Sequence, residues 1–265
     1  MKRMKEKIVL ITGAAGGQGS AEAKLFANEG ASLVLTDRTL DRLEALTREV
    51  QNSGGRAVCI EHDVADEDQW IAAVKCAEQE FGGLHVLINN AGTISRQGIV
   101  NTTLSAWHRT MDVNLTGAML GMKHAAPLMH RSGGGSIINI SSTAGMTAHY
   151  DAAYCASKWG LRGLTKMAAI DLVAWNIRVN SIHPGVVEDT DFARNGAPGQ
   201  AEAARRVVPM QRAGSPEECA NLVLYLAGDE SSYITGAEIA IDGGYTAGGA
   251  IFARTKLREA LATES

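Results

Sequence analysis

Tyr154 and Lys158 stand four residues apart in this 265-residue chain, at the head of a helical pattern whose apolar stripe includes Leu161, Leu164 and Met167. Residues at that spacing share one face of a helix. A phenol titrates near ~10, so for it to exchange protons at neutral pH its phenolate must be stabilised, and a nearby ammonium does that. Taken alone, the pair is equally an exposed surface pair.

A second chemistry stands at the other end of the chain. Thr12-Gly13-Ala14-Ala15-Gly16-Gly17-Gln18-Gly19 follows an apolar run at residues 8–11 and precedes helix-spaced Ala21, Leu25 and Phe26. Glycines there let backbone N–H groups approach a pyrophosphate at the positive end of a helix, although a bare glycine cluster also marks a simple tight turn. The next apolar run ends in Asp37, 18 residues beyond Gly19, close to the ~20 of a dinucleotide fingerprint. That carboxylate would accept hydrogen bonds from ribose hydroxyls and repel a ribose phosphate, which favours NAD over NADP. Arg38 could pair with such a phosphate, but no basic residue inside the glycine loop would assist it.

The elements that must position these groups follow from periodicity. Apolar runs at 8–11, 33–35, 86–88, 137–140, 177–182 and 239–241 lack polar alternation, and a weaker one lies at 58–61. Such strands belong to a parallel sheet covered by helices on both faces. Between them Leu40, Leu43 and Val50, then Trp70, Val74, Ala77 and Phe81, recur at helical spacing and predict one buried stripe per helix. The alternation predicts a single-domain α/β Rossmann fold, a doubly wound parallel sheet of about seven strands spanning residues 1–265. The connection at 184–214 follows a strand's C-terminal end, where open α/β sheets bind ligands, and predicts a substrate lid over about 186–212.

Composition narrows the function classes. Lys and Arg total 25 against 29 Asp and Glu, a net charge of −4, which offers no basic field to nucleic acid or an anionic membrane. Small-molecule partners are expected. Cys59, Cys76, Cys155 and Cys219 are dispersed, which points away from a zinc site or disulfide framework and toward a cytoplasmic chain. No apolar run approaches the ~18 residues of a membrane span. The seven histidines show no ligand spacing, so no metal is expected. His149 and Tyr150, with Met146, would face either substrate or solvent. Trp107, Met111, Leu115 and Met119 recur at fours, a stripe for core or subunit contact. Trp159 is expected to pack. The tail with Arg254, Lys256, Leu257, Arg258, Glu259 and Leu261 reads as a short amphipathic helix or a frayed end.

From Lys7 to about Gly248 the chain resembles the short-chain dehydrogenase/reductase family. The resemblance is carried by Thr12-Gly13-x-x-x-Gly17-x-Gly19, Asp63-Val64, Asn89-Asn90-Ala91-Gly92, Asn114, Ser141-Ser142, Tyr154-x-x-x-Lys158 and Pro184-Gly185. The stretches from Ile177 through Gly185 and Ile241-Asp242-Gly243-Gly244 are similar to those of NAD-dependent hydroxysteroid dehydrogenases. The resemblance implies hydride exchange between NAD(H) and a secondary alcohol or ketone, possible substrates being hydroxysteroids or other hydrophobic ketones. It implies Tyr154 as acid/base, Lys158 lowering its pKa and holding the nicotinamide ribose, Ser142 on the carbonyl oxygen, and Asn114 positioning a relay water. For the cofactor it implies the glycine loop with Gln18, Asp37 and Arg38 at the ribose, Asp63 and Val64 beside the adenine, Asn90, Ala91 and Gly92 along the cleft, and Pro184, Gly185 and Val187 at the nicotinamide. It also implies a homotetramer. Ser142 precedes Tyr154 by 12 residues and Ser141 by 13, the family's usual spacing, so Ser141 is the alternative. Thr190 falls one residue late for a nicotinamide ligand. The rival functions are an NADP-dependent ketoacyl carrier protein reductase, against which Asp37 argues, and a dinucleotide-binding regulator without catalysis. Phe192, Ala193 and Ala197 suit an apolar ketone, whereas Arg194, Arg205 and Arg206 would suit an anionic one.

Overall fold

In the first strand Val9 and Ile11 pack into one apolar layer and Ile8 and Leu10 into another, which explains why its sequence shows no polar alternation. The computed structural model describes residues 2–194 and 199–263. Strands β1 (Ile8–Thr12), β2 (Ser32–Asp37), β3 (Arg56–Glu61), β4 (Val86–Asn89), β5 (Gly135–Ile140), β6 (Ile177–Pro184) and β7 (Glu238–Ile241) form, among the described residues, one seven-stranded sheet of order β3-β2-β1-β4-β5-β6-β7. Every neighbouring pair is parallel, in registers such as Ile11 beside Ile88, Asn89 beside Asn139 and Ile140 beside Ile182. The fold is a single Rossmann-like domain. The six expected strands and the weaker seventh are all present. That weakest signal belongs to β3, an edge strand with only Ala57 buried.

The helices are α1 (Gly17–Asn28), α2 (Leu40–Asn52), α3 (Glu67–Phe81), α4 (Leu104–Met111), α5 (Gly117–Arg131), α6 (Ala152–Asp171), α7 (Asp191–Arg194), α8 (Gln200–Val207), α9 (Pro216–Ala227) and α10 (Tyr245–Thr263). Phe26 of α1, Leu43 and Val50 of α2 and Val223 of α9 cover one face of the sheet. Trp70 and Ala77 of α3, Met129 of α5 and Ala168 of α6 cover the other. Leu40, expected in the α2 stripe, opens that helix and is exposed. Local chemistry sets several helix boundaries: Asp66 accepts from the N–H groups of Asp68 and Gln69 at the start of α3, Gly82 ends it at φ +86°, and Ser215 with Glu218 forms a capping box on α9.

The tail is helical as α10, interrupted at Gly248. The predicted lid contains α7 and α8; its Gly196, Ala197 and Pro198 lie outside the described residues. Among the described residues, no helix is long and apolar enough to cross a membrane.

Candidate active site at the carboxyl ends of the strands

A cleft of about 740 Å³ opens where β1 and β4 diverge, and the residues following β1, β2, β4, β5 and β6 line it. This is the position at which open α/β sheets take ligands. Gly13 turns out of β1 at φ +63°, and a Cβ there would stand 2.8 Å from the Ala91 Cα. A Cβ on Gly19 would strike the Gly13 carbonyl oxygen, and one on Gly17 would strike that of Asp189. The cap residue of α1, Gly16, offers no side chain to the first N–H groups of the helix, so these remain for an anion. Asp37 accepts from the N–H of Ala15 at 3.1 Å and of Thr39 at 2.9 Å, which fixes its carboxylate beside the loop. Arg38 is engaged with Asp63, 3.7 Å away.

The loop is braced from β4. The Thr12 hydroxyl accepts from the N–H groups of Asn90 and Ala91, both at 3.1 Å, while the Asn90 amide donates to the carbonyls of Thr12 and Gly13 at 2.9 and 3.0 Å. Asn90 thus lines the cleft with its amide committed to the loop. Asn114 sits in a π-helical turn, Asp112–Thr116, between α4 and α5. Its side chain accepts from the N–H of Thr93 at 2.8 Å and donates to the Thr93 carbonyl at 2.9 Å and Ser157 Oγ at 3.0 Å. Asn114 therefore pins the segment after β4 to α6.

Asp151 starts α6 and places the tyrosine. One of its oxygens accepts from the N–H of Tyr154 at 2.8 Å; the other accepts from the Ser95 hydroxyl at 2.8 Å and from the backbone N–H of Arg96. Burial works against its charge, but these donors outweigh it and hold the carboxyl below its usual range. Burial pushes the Tyr154 phenol up to about 12, and the facing Ser142 hydroxyl works in the opposite direction. Burial brings the Lys158 ammonium down to about 8; it donates to the Ile140 carbonyl at 2.8 Å and lies 5.6 Å from the centre of the tyrosine ring. The expected lowering of the phenol by Lys158 does not show here: burial dominates, and the Ser142 hydroxyl is the group that works downward.

The two serines part ways. Ser141 is buried and donates to the Lys158 carbonyl at 3.2 Å, whereas Ser142 turns toward Tyr154. The Ser142 carbonyl lies 3.0 Å from Nδ1 of His183, whose Nε2 lies 3.0 Å from Ser181 Oγ. His183 is fully buried, and desolvation lowers its pKa.

Gln18, Asp63, Val64, Ala91, Gly92, Pro184, Gly185 and Val187 all line the cleft, as do His149, Tyr150, Phe192 and Ala193. The Thr190 hydroxyl accepts from the N–H of Ala193 and donates to the Val187 carbonyl, so it caps α7. Arg194, Arg205 and Arg206 pair with Asp191, Glu188 and Glu202. Trp159, expected to pack, is half exposed beneath the Arg162 guanidinium. Asp151, His183 and Arg96 were not among the residues the sequence pointed to. The helix-capping position of Asp151, three before Tyr154, was a readable signal; the other two depend on contacts distant in sequence.

A family model described as "Enoyl-(Acyl carrier protein) reductase" matches residues 13–246. The chain is 45% identical over 253 residues to trans-4-hydroxycyclohexanecarboxylate dehydrogenase of Sinomonas cyclohexanicum, covering 93% of this chain and 95% of that one. It is 42% identical over 249 residues to 3-alpha-(or 20-beta)-hydroxysteroid dehydrogenase of Mycobacterium tuberculosis, covering 93% and 92%. A solved short-chain type dehydrogenase/reductase from Mycobacterium marinum superposes with a TM-score of 0.86 at 36% identity, covering 92% of this chain and 96% of that one. With the glycine loop, the serine doublet and the Tyr154–Lys158 pair around one cleft and Asn114 buried behind its wall, the chain belongs to the short-chain dehydrogenase/reductase family of oxidoreductases.

Proposed function

We propose that the protein is an NAD-dependent dehydrogenase that interconverts a cyclic secondary alcohol and its ketone. The observation that carries this reading is the meeting of the Ser142 hydroxyl and the Tyr154 phenol in a cleft whose far wall holds the Asp37 carboxylate. The residues fit a dinucleotide: Gly13 and Gly19 leave no room for a side chain, the start of α1 keeps N–H groups for a pyrophosphate, and Asp37 is set to accept from ribose hydroxyls. Asp37 and the engagement of Arg38 with Asp63 favour NAD over NADP. The two relatives named above are described as acting on a hydroxycyclohexane carboxylate and on hydroxysteroids, both secondary alcohols of ring-containing molecules.

A nicotinamide dinucleotide held by the glycine loop and Asp37 would supply hydride exchange with the carbinol carbon. Tyr154 takes the hydroxyl proton during oxidation and returns it during reduction. Ser142 donates to the same oxygen as negative charge develops there, held in place by His183 behind its carbonyl. Lys158, anchored on Ile140, sets a positive charge beside the forming phenolate. Asn114 keeps Thr93 and the adjoining wall in register. The described residues 186–194 and 199–212 form a lid at the substrate end, with Phe192, Val207 and Val208 lining the cleft. Exposed Met119, Met167 and Ile170 on α5 and α6 support assembly into a homotetramer.

The test is NADH formation with cyclohexanol-type and steroid alcohols. The parent turns over at least one ring alcohol, and Tyr154→Phe loses about 10²- to 10⁴-fold of that rate while still binding NADH by fluorescence titration. Turnover by Tyr154→Phe near the parent's rate would remove the tyrosine from this role.

A further inference from the structure

We infer that the substrate carries a carboxylate besides the reacting hydroxyl, and that Arg96 is the residue that receives it. This rests on the alcohol–ketone reading above and adds the substrate's charge.

Arg96 lines the same cleft as Tyr154. Its Nη1 lies 3.4 Å from the Tyr150 hydroxyl, and its Nη2 donates to the Phe192 carbonyl at 3.0 Å. The Phe192 ring is centred 5.9 Å from that of Tyr154. On the other side the Tyr150 ring lies tilted against His149 with centroids 4.3 Å apart, and the His149 ring is 5.3 Å from that of Tyr154. The guanidinium is thus bonded to both walls that flank the reacting phenol.

The charge is also uncommitted. Among the described residues no carboxylate pairs with the Arg96 guanidinium, whereas Arg194, Arg205 and Arg206 in the lid segment each pair with one. Two of its N–H groups are engaged with neutral oxygens, which leaves others for the bidentate geometry a carboxylate prefers. Neutral partners solvate the cation without cancelling it.

The backbone aims it. Arg96 has φ +59°, a left-handed conformation that L side chains rarely adopt and that persists where surrounding contacts impose it. The contact here is Asp151, which accepts from the Arg96 N–H with one oxygen and from the Tyr154 N–H with the other. A single carboxylate therefore sets the proton donor and the cation in a fixed relation, as recognition of a bifunctional substrate requires.

The experiment compares trans-4-hydroxycyclohexanecarboxylate with its methyl ester as substrates for the enzyme with NAD, in the parent and in Arg96→Gln and Arg96→Lys. The parent is expected to prefer the acid by at least about tenfold in kcat/KM, as a charge-assisted hydrogen-bond pair implies. Arg96→Gln lowers the acid-to-ester ratio by at least about tenfold, mainly through KM, and Arg96→Lys restores part of it. A parent indifferent to the charge, or an Arg96→Gln ratio equal to the parent's, overturns the inference; the latter would mean that Arg96 merely braces Phe192. If neither alcohol is oxidised, the alcohol–ketone reading is decided by the wider alcohol panel above, and the anchor is judged by calorimetry on the enzyme–NADH complex. Tighter binding of cyclohexanecarboxylate than of cyclohexanecarboxamide, abolished in Arg96→Gln, supports the anchor. Equal or absent binding of the two rejects it.

Discussion

Asp151 Oδ1 accepts the backbone N–H of Tyr154 at 2.8 Å, so the residue that caps α6 also fixes the height of the phenol above the cleft floor. Its other oxygen ties down Ser95 and Arg96, more than fifty residues away in sequence. One fully buried carboxylate thus couples the start of the catalytic helix to the opposite wall.

Replacing Asp151 by Ala removes the cap and leaves buried donors unpaired. The expected cost is ~1–3 kcal/mol of stability, read as a lower midpoint in chemical denaturation, with a larger fall in kcat than Asp151→Asn produces. Asparagine keeps an acceptor for the Tyr154 N–H. Equal stability in the parent and in Asp151→Ala would show that the cap is dispensable.

The serines separate by function. Ser142→Ala is expected to lose about 10²- to 10³-fold in kcat, since it removes a donor aimed at the developing charge. Ser141→Ala loses only the hydrogen bond to the Lys158 carbonyl, about 1 kcal/mol of stability, and keeps kcat within a few fold. Steady-state rates of the two variants decide the matter; the reverse order would assign the role to Ser141.

Asp37 carries two backbone hydrogen bonds as well as its charge. In Asp37→Ser the repulsion of a ribose phosphate disappears, and the NADPH-to-NADH ratio of kcat/KM rises at least about tenfold. NAD affinity falls in the same variant because the glycine loop loses a fixed acceptor. Competition titrations with both cofactors measure the two effects, and an unchanged ratio would mean that Asp37 does not select the cofactor.

Glu22 of α1 is fully buried, receives a hydrogen bond from Gln18 at 3.0 Å, and its Oε2 has no partner among the described residues. Burial pushes its pKa up to about 8 from 4.5, with the Gln18 bond working the other way. The folded protein therefore holds a proton that the unfolded chain releases near 4.5, and stability falls as pH rises from there to about 8. The loss by pH 7 is on the order of 3 kcal/mol. Glu22→Gln removes that slope and is more stable than the parent at pH 8, with little difference at pH 4.5. Denaturation midpoints of both proteins across this range check it; parallel pH profiles would contradict it.

Local sequence was sufficient for much of this protein. Continuous apolar runs such as residues 8–11 are buried on both faces, which requires a parallel sheet between helices. The glycine loop and Asp37 are legible because each lies within a few residues of a strand's end, where chain direction is already set. The four-residue step from Tyr154 to Lys158 fixes them on one helical face before any packing is known.

Tertiary structure decided what spacing left open. Ser141 and Ser142 follow the end of β5, where successive side chains point to opposite sides, so a single residue separates a buried structural hydroxyl from one facing the phenol. Charge partnership is likewise invisible in sequence. Arg194, Arg205 and Arg206 are cancelled by acids of the lid segment, while Arg96, in an unremarkable loop, keeps its charge in the cleft because Asp151 holds its backbone there. Such long-range pairings exist only once β4, β5 and α6 have been brought side by side, and their energies depend on distances that chain order does not encode.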